Sequence, residues 1–355
     1  MKVSVLIPYY NDRRFLRESI GSVLAQTFAD FELVLVNHAS TDGSREIARS
    51  FADPRIVHVD MPVNHGAGGG LVVAEFLKVA AGEYVKFFCA DDVMGPNCLA
   101  ELVGYMESRR DVTFAFGDLE YVNAEGEDLR AHWYEERLKF SASMTEVGFL
   151  KLFADGISAL PWIGSIVRRE AMSEVELDAT MVMMFDMSIW TQLLLKGRRL
   201  GFVRSVVALY RVHAGQVSSV GRLGEAIALA SRERQVFFRY FQNCRDVDLV
   251  KAVFDDDDFV RRVRTVEDVP LAVALRYAAA DRYAMWAYVF VRDWLQDPLR
   301  RAEAGARLGI TVAGFRDLVR RHVEVVRVKS RWVRFRDRWL RFWRPRGGEF
   351  GQYSL

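Results

Sequence analysis

The sequence predicts an α/β fold built on a mostly parallel sheet, and three observations carry that expectation. Short apolar runs recur at residues 3–7, 31–36, 55–59 and 84–89, helical stretches separate them, and the last run, within KFFCADDV at 86–93, stops at two carboxylates, Asp91 and Asp92. Strands alternating with helices at this spacing need crossover connections, which pair strands in parallel. Open sheets of this kind hold ligands outside the carboxyl ends of their strands, which is where the acidic pair falls. Two fixed negative charges there are costly without a cation. A divalent ion carrying a diphosphate answers both the charge and the position, because hard ions are held by one or two carboxylates plus phosphate oxygens.

Taken in order, residues 3–7 form a strand ended by Pro8, and Asn11 and Asp12 are capping residues for a helix over 13–26. Residues 31–36 repeat the strand, 37–44 make a polar turn and 44–51 a helix; 55–59 is a third strand. The loop NHGAGGG at 64–70 leads into a helix reaching residue 81. Its glycines let a backbone approach a phosphate at a helix amino terminus. The spacing matches neither GxGxxG nor the Walker pattern, so a plain turn is the equal alternative.

Beyond the acidic pair the pattern gives a helix over 96–108, a strand at 112–116 and a hairpin-like stretch at 121–130. A helix follows at 146–154, then a strand at 163–168, a helix at 185–196, and strands at 201–203 and 207–212. From residue 221 the segments are helical, at 225–241, 270–295 and 312–344. The four aspartates at 255–258 read as a solvated turn or helix start rather than a metal site.

Composition limits the function classes. A net charge of +2 over 355 residues argues against a protein dominated by nucleic-acid binding. Three cysteines without a CxxC pair suggest neither a disulfide framework nor a zinc site. With no signal-peptide pattern and no apolar run near the roughly 20 residues needed to span a bilayer, the expected location is cytoplasmic, free or peripheral at the inner face of the cell membrane.

Four stretches, SVLIPYYN at 4–11, ELVLVNHASTDGS at 32–44, CADD at 89–92, and FDMSIWTQLLLKG with YRVHAGQVS at 185–197 and 210–218, stand in an order that resembles the family-2 inverting glycosyltransferases. The resemblance implies a GT-A fold: a Rossmann-like, mostly parallel sheet flanked by helices. It divides the chain into a nucleotide-sugar-binding half over 1–130, an acceptor-binding half over 131–220 and a helical C-terminal region over 221–355. It also implies transfer of a sugar, with inversion, from a nucleotide-diphosphate donor, UDP- or dTDP-linked, to a hydroxyl of a glycan or lipid-linked glycan of the cell envelope.

By the same resemblance Pro8, Tyr9 and Asn11 line the donor pocket, as do Asn64 and Gly66. Asn37 and His38 stand where the family has two aspartates, one of which contacts the base; an Asn37 oxygen or a neutral His38 nitrogen can still accept from a base N–H. Gly69-Gly70-Leu71 replaces an Arg-Asn pair. Asp91 and Asp92 carry a Mn²⁺ or Mg²⁺ ion, Asp91 also touching the donor, while Cys89 takes the first acidic position. His213 lies near the metal or diphosphate, Asp186 is the general base with Phe185 in place of a glutamate, and Trp162 and Arg211 face the acceptor. These departures motivate an alternative: a non-catalytic nucleotide-sugar or glycan-binding protein that kept the fold.

Val325, Val328, Trp332, Phe335, Trp339 and Phe342 recur on one helical face among seven arginines, Arg331 to Arg346. A basic, aromatic amphipathic helix over 325–346 fits an anionic membrane surface, which also allows a membrane-surface scaffold. Docking on its own domain, a homodimer contact and, more weakly, RNA stacking are the competing roles.

Overall fold

The computed structural model describes residues 1–66, 69–132, 145–216, 229–230, 232–234, 236–280 and 285–325. The basic stretch beyond residue 325, and Ser218 of the last motif, lie outside the described residues. The chain forms two compact units, Met1–Val269 and Pro270–Leu355.

In the first unit, β1 (Val3–Tyr9) and β2 (Phe31–Asn37) are buried almost throughout, as continuous apolar strands are when helices cover both sheet faces. β1 pairs in parallel with β2 on one side and with β4 (Tyr84–Phe87) on the other; β3 (Ile56–Asp60) adds in parallel outside β2. Their crossovers are α1 (Leu16–Leu24), α2 (Ser44–Arg49) and α3 (Gly69–Val79). Pro8 does not end β1, which pairs with β2 through Tyr9. It ends the other ladder. Lys2 O accepts from Tyr84 N–H and Leu6 O from Phe88 N–H, and Pro8, next on that side, has no N–H to donate.

The sheet then becomes mixed. After β5 (Val93–Met94) and α4 (Cys98–Ser108), β6 (Val112–Val122) and β7 (Asp128–His132) form the hairpin expected near residue 121. α5 (Glu146–Ala154), β8 (Ser165–Arg168), α6 (Phe185–Leu195) and β9 (Arg199–Arg211) complete the order β3-β2-β1-β4-β8-β6-β9-β5, with β7 on β6. β9 runs continuously where the sequence suggests two strands. Its pairing with β6 skips register between Val203 and Val206, so the polar residues Arg204 and Ser205 sit in an irregularity rather than a turn.

Further along come the short helices α7 (Arg239–Gln242), α8 (Val247–Val253) and α9 (Asp257–Arg262). The acidic run is the start of α9: the Asp256 carboxylate accepts from Phe259 N–H at 2.8 Å, and Asp255 and Asp258 pair with Lys151 and Arg262. α10 (Val269–Ala280) crosses into the second unit, which contains α11 (Met285–Gln296), α12 (Pro298–Leu308) and α13 (Val312–Val325). Among the described residues no helix is long and apolar enough to cross a membrane.

The glycines opening α3 serve close packing. A Cβ on Gly69 would meet the Phe185 ring at 2.4 Å, and one on Gly70 would meet the Asp178 carbonyl oxygen at 2.5 Å. The first neighbour is a side chain that can turn; the second is backbone that cannot. Gly70→Ala is therefore expected to destabilise the protein by about 1–3 kcal/mol and Gly69→Ala by less, as urea denaturation of the two variants would measure.

Candidate active site

The acidic pair is fixed by β5. This two-residue strand pairs antiparallel with β9, Val93 opposite Leu209 and Met94 opposite Ala208. Continuing that register backwards brings Asp92 beside Tyr210 and Asp91 beside Arg211. Arg211 N–H accordingly donates to the Asp92 carboxylate at 2.8 Å. The Arg211 guanidinium donates to Asp91 O at 2.8 Å, to the carbonyls of Asn123 and Ala124, and to Glu18 on α1 at 2.6 Å. It lies over the Phe15 ring, and Arg211 is only 2% exposed. Its donors are turned to the protein beneath the pair.

His213 Nε2 stands 3.0 Å from Asp91 Oδ2, and His213 Nδ1 accepts from Gly215 N–H at 3.2 Å. With Nδ1 accepting, the neutral ring places its proton on Nε2 and donates it to Asp91. Among the described residues Cys89, Asp91 and Asp92 bring their ligand atoms within 4.8 Å of one another, close enough to share one ion. Burial, and then the Asp91 charge, push the Asp92 carboxyl well above its usual range, against the Arg211 N–H and charge. Burial followed by the two carboxylates raises the Cys89 thiol as well. Buried carboxylate, second carboxylate and thiol with incomplete positive compensation suit a divalent cation.

Asp12 lies within electrostatic reach of Asp91 and His213. The sequence offers it as a helix cap, but α1 begins at Leu16 with no side-chain cap, and the Asp12 carboxylate accepts from Tyr10 N–H at 2.9 Å. Burial, with added repulsion from Asp91 and Asp42, pushes it up to about 6. The sequence signal was its place just after a strand's carboxyl end, the same place Asp91 holds.

Asp186 is the second residue of α6, partly exposed, with its carboxylate accepting from Met187 N–H at 2.7 Å. Burial chiefly, and Glu233 secondarily, push it up to about 6. An aromatic chain links α6 to the end of β4: Phe185 lies 5.8 Å from Trp162, which stacks on Phe87 at 3.9 Å. The fully buried Lys86 holds the Trp162 turn, donating to the carbonyls of Phe87 and Ile163.

The first two strand ends form a second cluster. Asn11, at φ 56°, donates its N–H to Ser40 Oγ and accepts from Thr41 N–H, locking the two turns together. Pro8 and Tyr9 close β1 before it, with Tyr10 between, and Tyr9 O accepts from His38 N–H. Asn37 is 3% exposed; its amide donates to Asp60 and its oxygen accepts from Ser40 N–H. His38 Nε2 accepts from His65 N–H at 3.1 Å, and burial, then His65, hold its pKa down, so the neutral ring carries its proton on Nδ1. The acceptor atoms that these two residues would offer a base are each engaged by a protein N–H. Asn64 accepts from the N–H of Gly66, a left-handed turn at φ 83°. Asp60, which the sequence did not single out, binds Asn37, Arg45 and Arg49, and Arg45 above all holds its carboxyl below the usual range.

An α/β sheet bearing a carboxylate cluster after a central strand, beside a second cluster at the first two strand ends, is the arrangement of the GT-A fold. Residues 4–171 match the model of the family described as Glycosyl transferase family 2. The chain is 40% identical over 105 residues to an uncharacterized glycosyltransferase of Nostoc, covering 29% of this chain and 32% of that protein. It is 33% identical over 121 residues to the Escherichia coli UDP-Glc:alpha-D-GlcNAc-diphosphoundecaprenol beta-1,3-glucosyltransferase WfgD, covering 34% and 47%. The matches thus span about a third and a half of these relatives' lengths. S. aureus TarS 1–349 in complex with UDP-GlcNAc shares the fold, with a TM-score of 0.52 at 16% identity over 91% of this chain and 92% of that one.

Removing Arg211 would leave Asp92 buried beside Asp91 with its main cation gone. Arg211→Ala is expected to cost about 3 kcal/mol of stability, read by urea denaturation; a loss below about 1 kcal/mol would contradict the central place given to it.

Proposed function

We propose that this protein moves a sugar from a nucleotide-diphosphate donor to a hydroxyl acceptor with inversion, using Asp186 as general base. One observation carries the proposal: a chain of ring contacts through Phe87, Trp162 and Phe185 links the end of β4, which leads to the acidic pair, to the start of α6, which carries Asp186. The donor is UDP- or dTDP-linked, with Pro8, Tyr9, Asn11, Asn64, Gly66 and the Asn37–His38 turn around the nucleotide. The name of the E. coli relative, which specifies UDP-Glc and a diphosphoundecaprenol-linked acceptor, supports a lipid-linked envelope glycan as acceptor.

Asp186 takes the proton of the acceptor hydroxyl. The acceptor oxygen then bonds to the anomeric carbon from the face opposite the diphosphate, and the bond from that carbon to the diphosphate oxygen breaks with its electron pair leaving on the nucleotide. Asp91 and Asp92, with Cys89 adjacent, would hold Mn²⁺ or Mg²⁺, which when bound supplies charge neutralisation at the diphosphate. His213 orients Asp91 by donating to it, and Trp162 offers an aromatic wall to the acceptor. Cys89 and Phe185, where the family has acids, favour a second reading as a binding protein without turnover.

A base works only when ionised, so activity must appear as pH rises through the Asp186 pKa. The rate at limiting donor is expected to fall about tenfold per unit below about pH 6 and to level off above it. Asp186→Asn should lower transfer about 100-fold or more while leaving donor binding intact, measured by release of nucleoside diphosphate and by calorimetry. Donor binding without release by the unaltered protein would favour the binding-protein reading.

A further inference from the structure

Glu233 lies in the helical residues 232–234, beyond the stretch matched by the family, and is 8% exposed. Its carboxylate is spent on one piece of backbone. One oxygen accepts from the N–H groups of Val182 at 2.7 Å and Met183 at 3.1 Å; the other accepts from Met183 at 2.9 Å and Met184 at 2.7 Å. Three consecutive N–H groups converging on one anion form a nest, here filled by the protein itself.

These three residues lead directly into α6. Met184 is its N-cap and has no side-chain cap, so Glu233 provides from a distant segment the negative charge that a helix start favours. Asp186 stands two residues further on, and the position of its Cα follows from the backbone of 182–184. We infer that Glu233 is the positioning residue for Asp186, clamping segment 182–184 so that the base carboxylate is held at the acceptor hydroxyl. This rests on Asp186 being the base.

The clamp has an electrostatic consequence. Among the described residues Glu233 is the charged group whose field acts on Asp186. The negative charge of Glu233 helps keep the Asp186 pKa high, so its removal should lower that pKa.

The test compares Glu233→Gln, Glu233→Asp and Asp186→Asn in the full chain. Gln replaces an accepting oxygen with an NH₂ that faces N–H donors, so kcat should fall about tenfold or more with donor KM within about twofold. The acid limb of the pH profile should move to lower pH. Glu233→Asp keeps the charge on a shorter stem, so its limb should match the unaltered protein and its kcat lie between the two. A Glu233→Gln variant with unaltered kcat and limb, or one whose change lies only in KM or Tm, overturns the inference while Asp186→Asn is inactive. If Glu233→Gln does not fold, unaltered kcat in Glu233→Asp overturns it. Unaltered kcat in Asp186→Asn overturns the base assignment and this inference with it.

Discussion

The pairing of β5 with β9 is the constraint on which the site depends. Two residues of antiparallel register turn the chain leaving β4 back along β9, so that Asp91 and Asp92 meet the strand end that carries Arg211 and, two residues later, His213. Arg211 then ties the pair to α1 through Glu18 and to the β6–β7 turn through two carbonyls. A buried guanidinium satisfied from several elements at once is expensive to assemble and hard to move. The acidic pair therefore inherits a fixed geometry from the sheet rather than from its own loop.

Asp60 on one side and Asp12 and Asp92 on the other stand in opposite electrostatic settings. Asp60, at the end of β3, is bound by Arg45 and Arg49, and those cations hold its carboxyl down. Asp12 and Asp92 are pushed up, first by burial and then by the neighbouring Asp91 charge. Asp60 already has its positive partners from the chain. Around Asp91 and Asp92 Arg211 compensates only part of the charge, which is the condition in which a divalent ion and its diphosphate bind favourably. Asp186 is raised too, but mainly by desolvation and away from a cation, as suits a proton acceptor.

Much of the first half of the fold is legible because parallel strands buried on both faces are written as unbroken apolar runs: 31–36 falls on β2, and 84–89 on β4, which stops at Phe87 two residues short of the run. Gly117, Asp118, Arg204 and Ser205 look like breaks that shorten β6 and split β9, whereas the ladder absorbs them as register shifts. The acidic pair and Asp186 could be named from motif and position. Asp12, Asp60, Glu233 and the structural role of Arg211 could not, since each acts through partners distant in sequence; the Arg211–Glu18 pair alone spans 193 positions. The glycine run suggests phosphate approach, whereas its first two helical members pack against Phe185 and the backbone at Asp178, neighbours distant in sequence.

The most direct measurement is calorimetric titration of UDP into the protein with and without Mn²⁺, alongside the Asp91→Asn/Asp92→Asn variant. If the acidic pair bridges the nucleotide diphosphate through a cation, Mn²⁺ should strengthen UDP binding by about tenfold or more in the unaltered protein and leave the variant unaffected. Binding of UDP that ignores Mn²⁺, or a variant that keeps the full Mn²⁺ response, would contradict it.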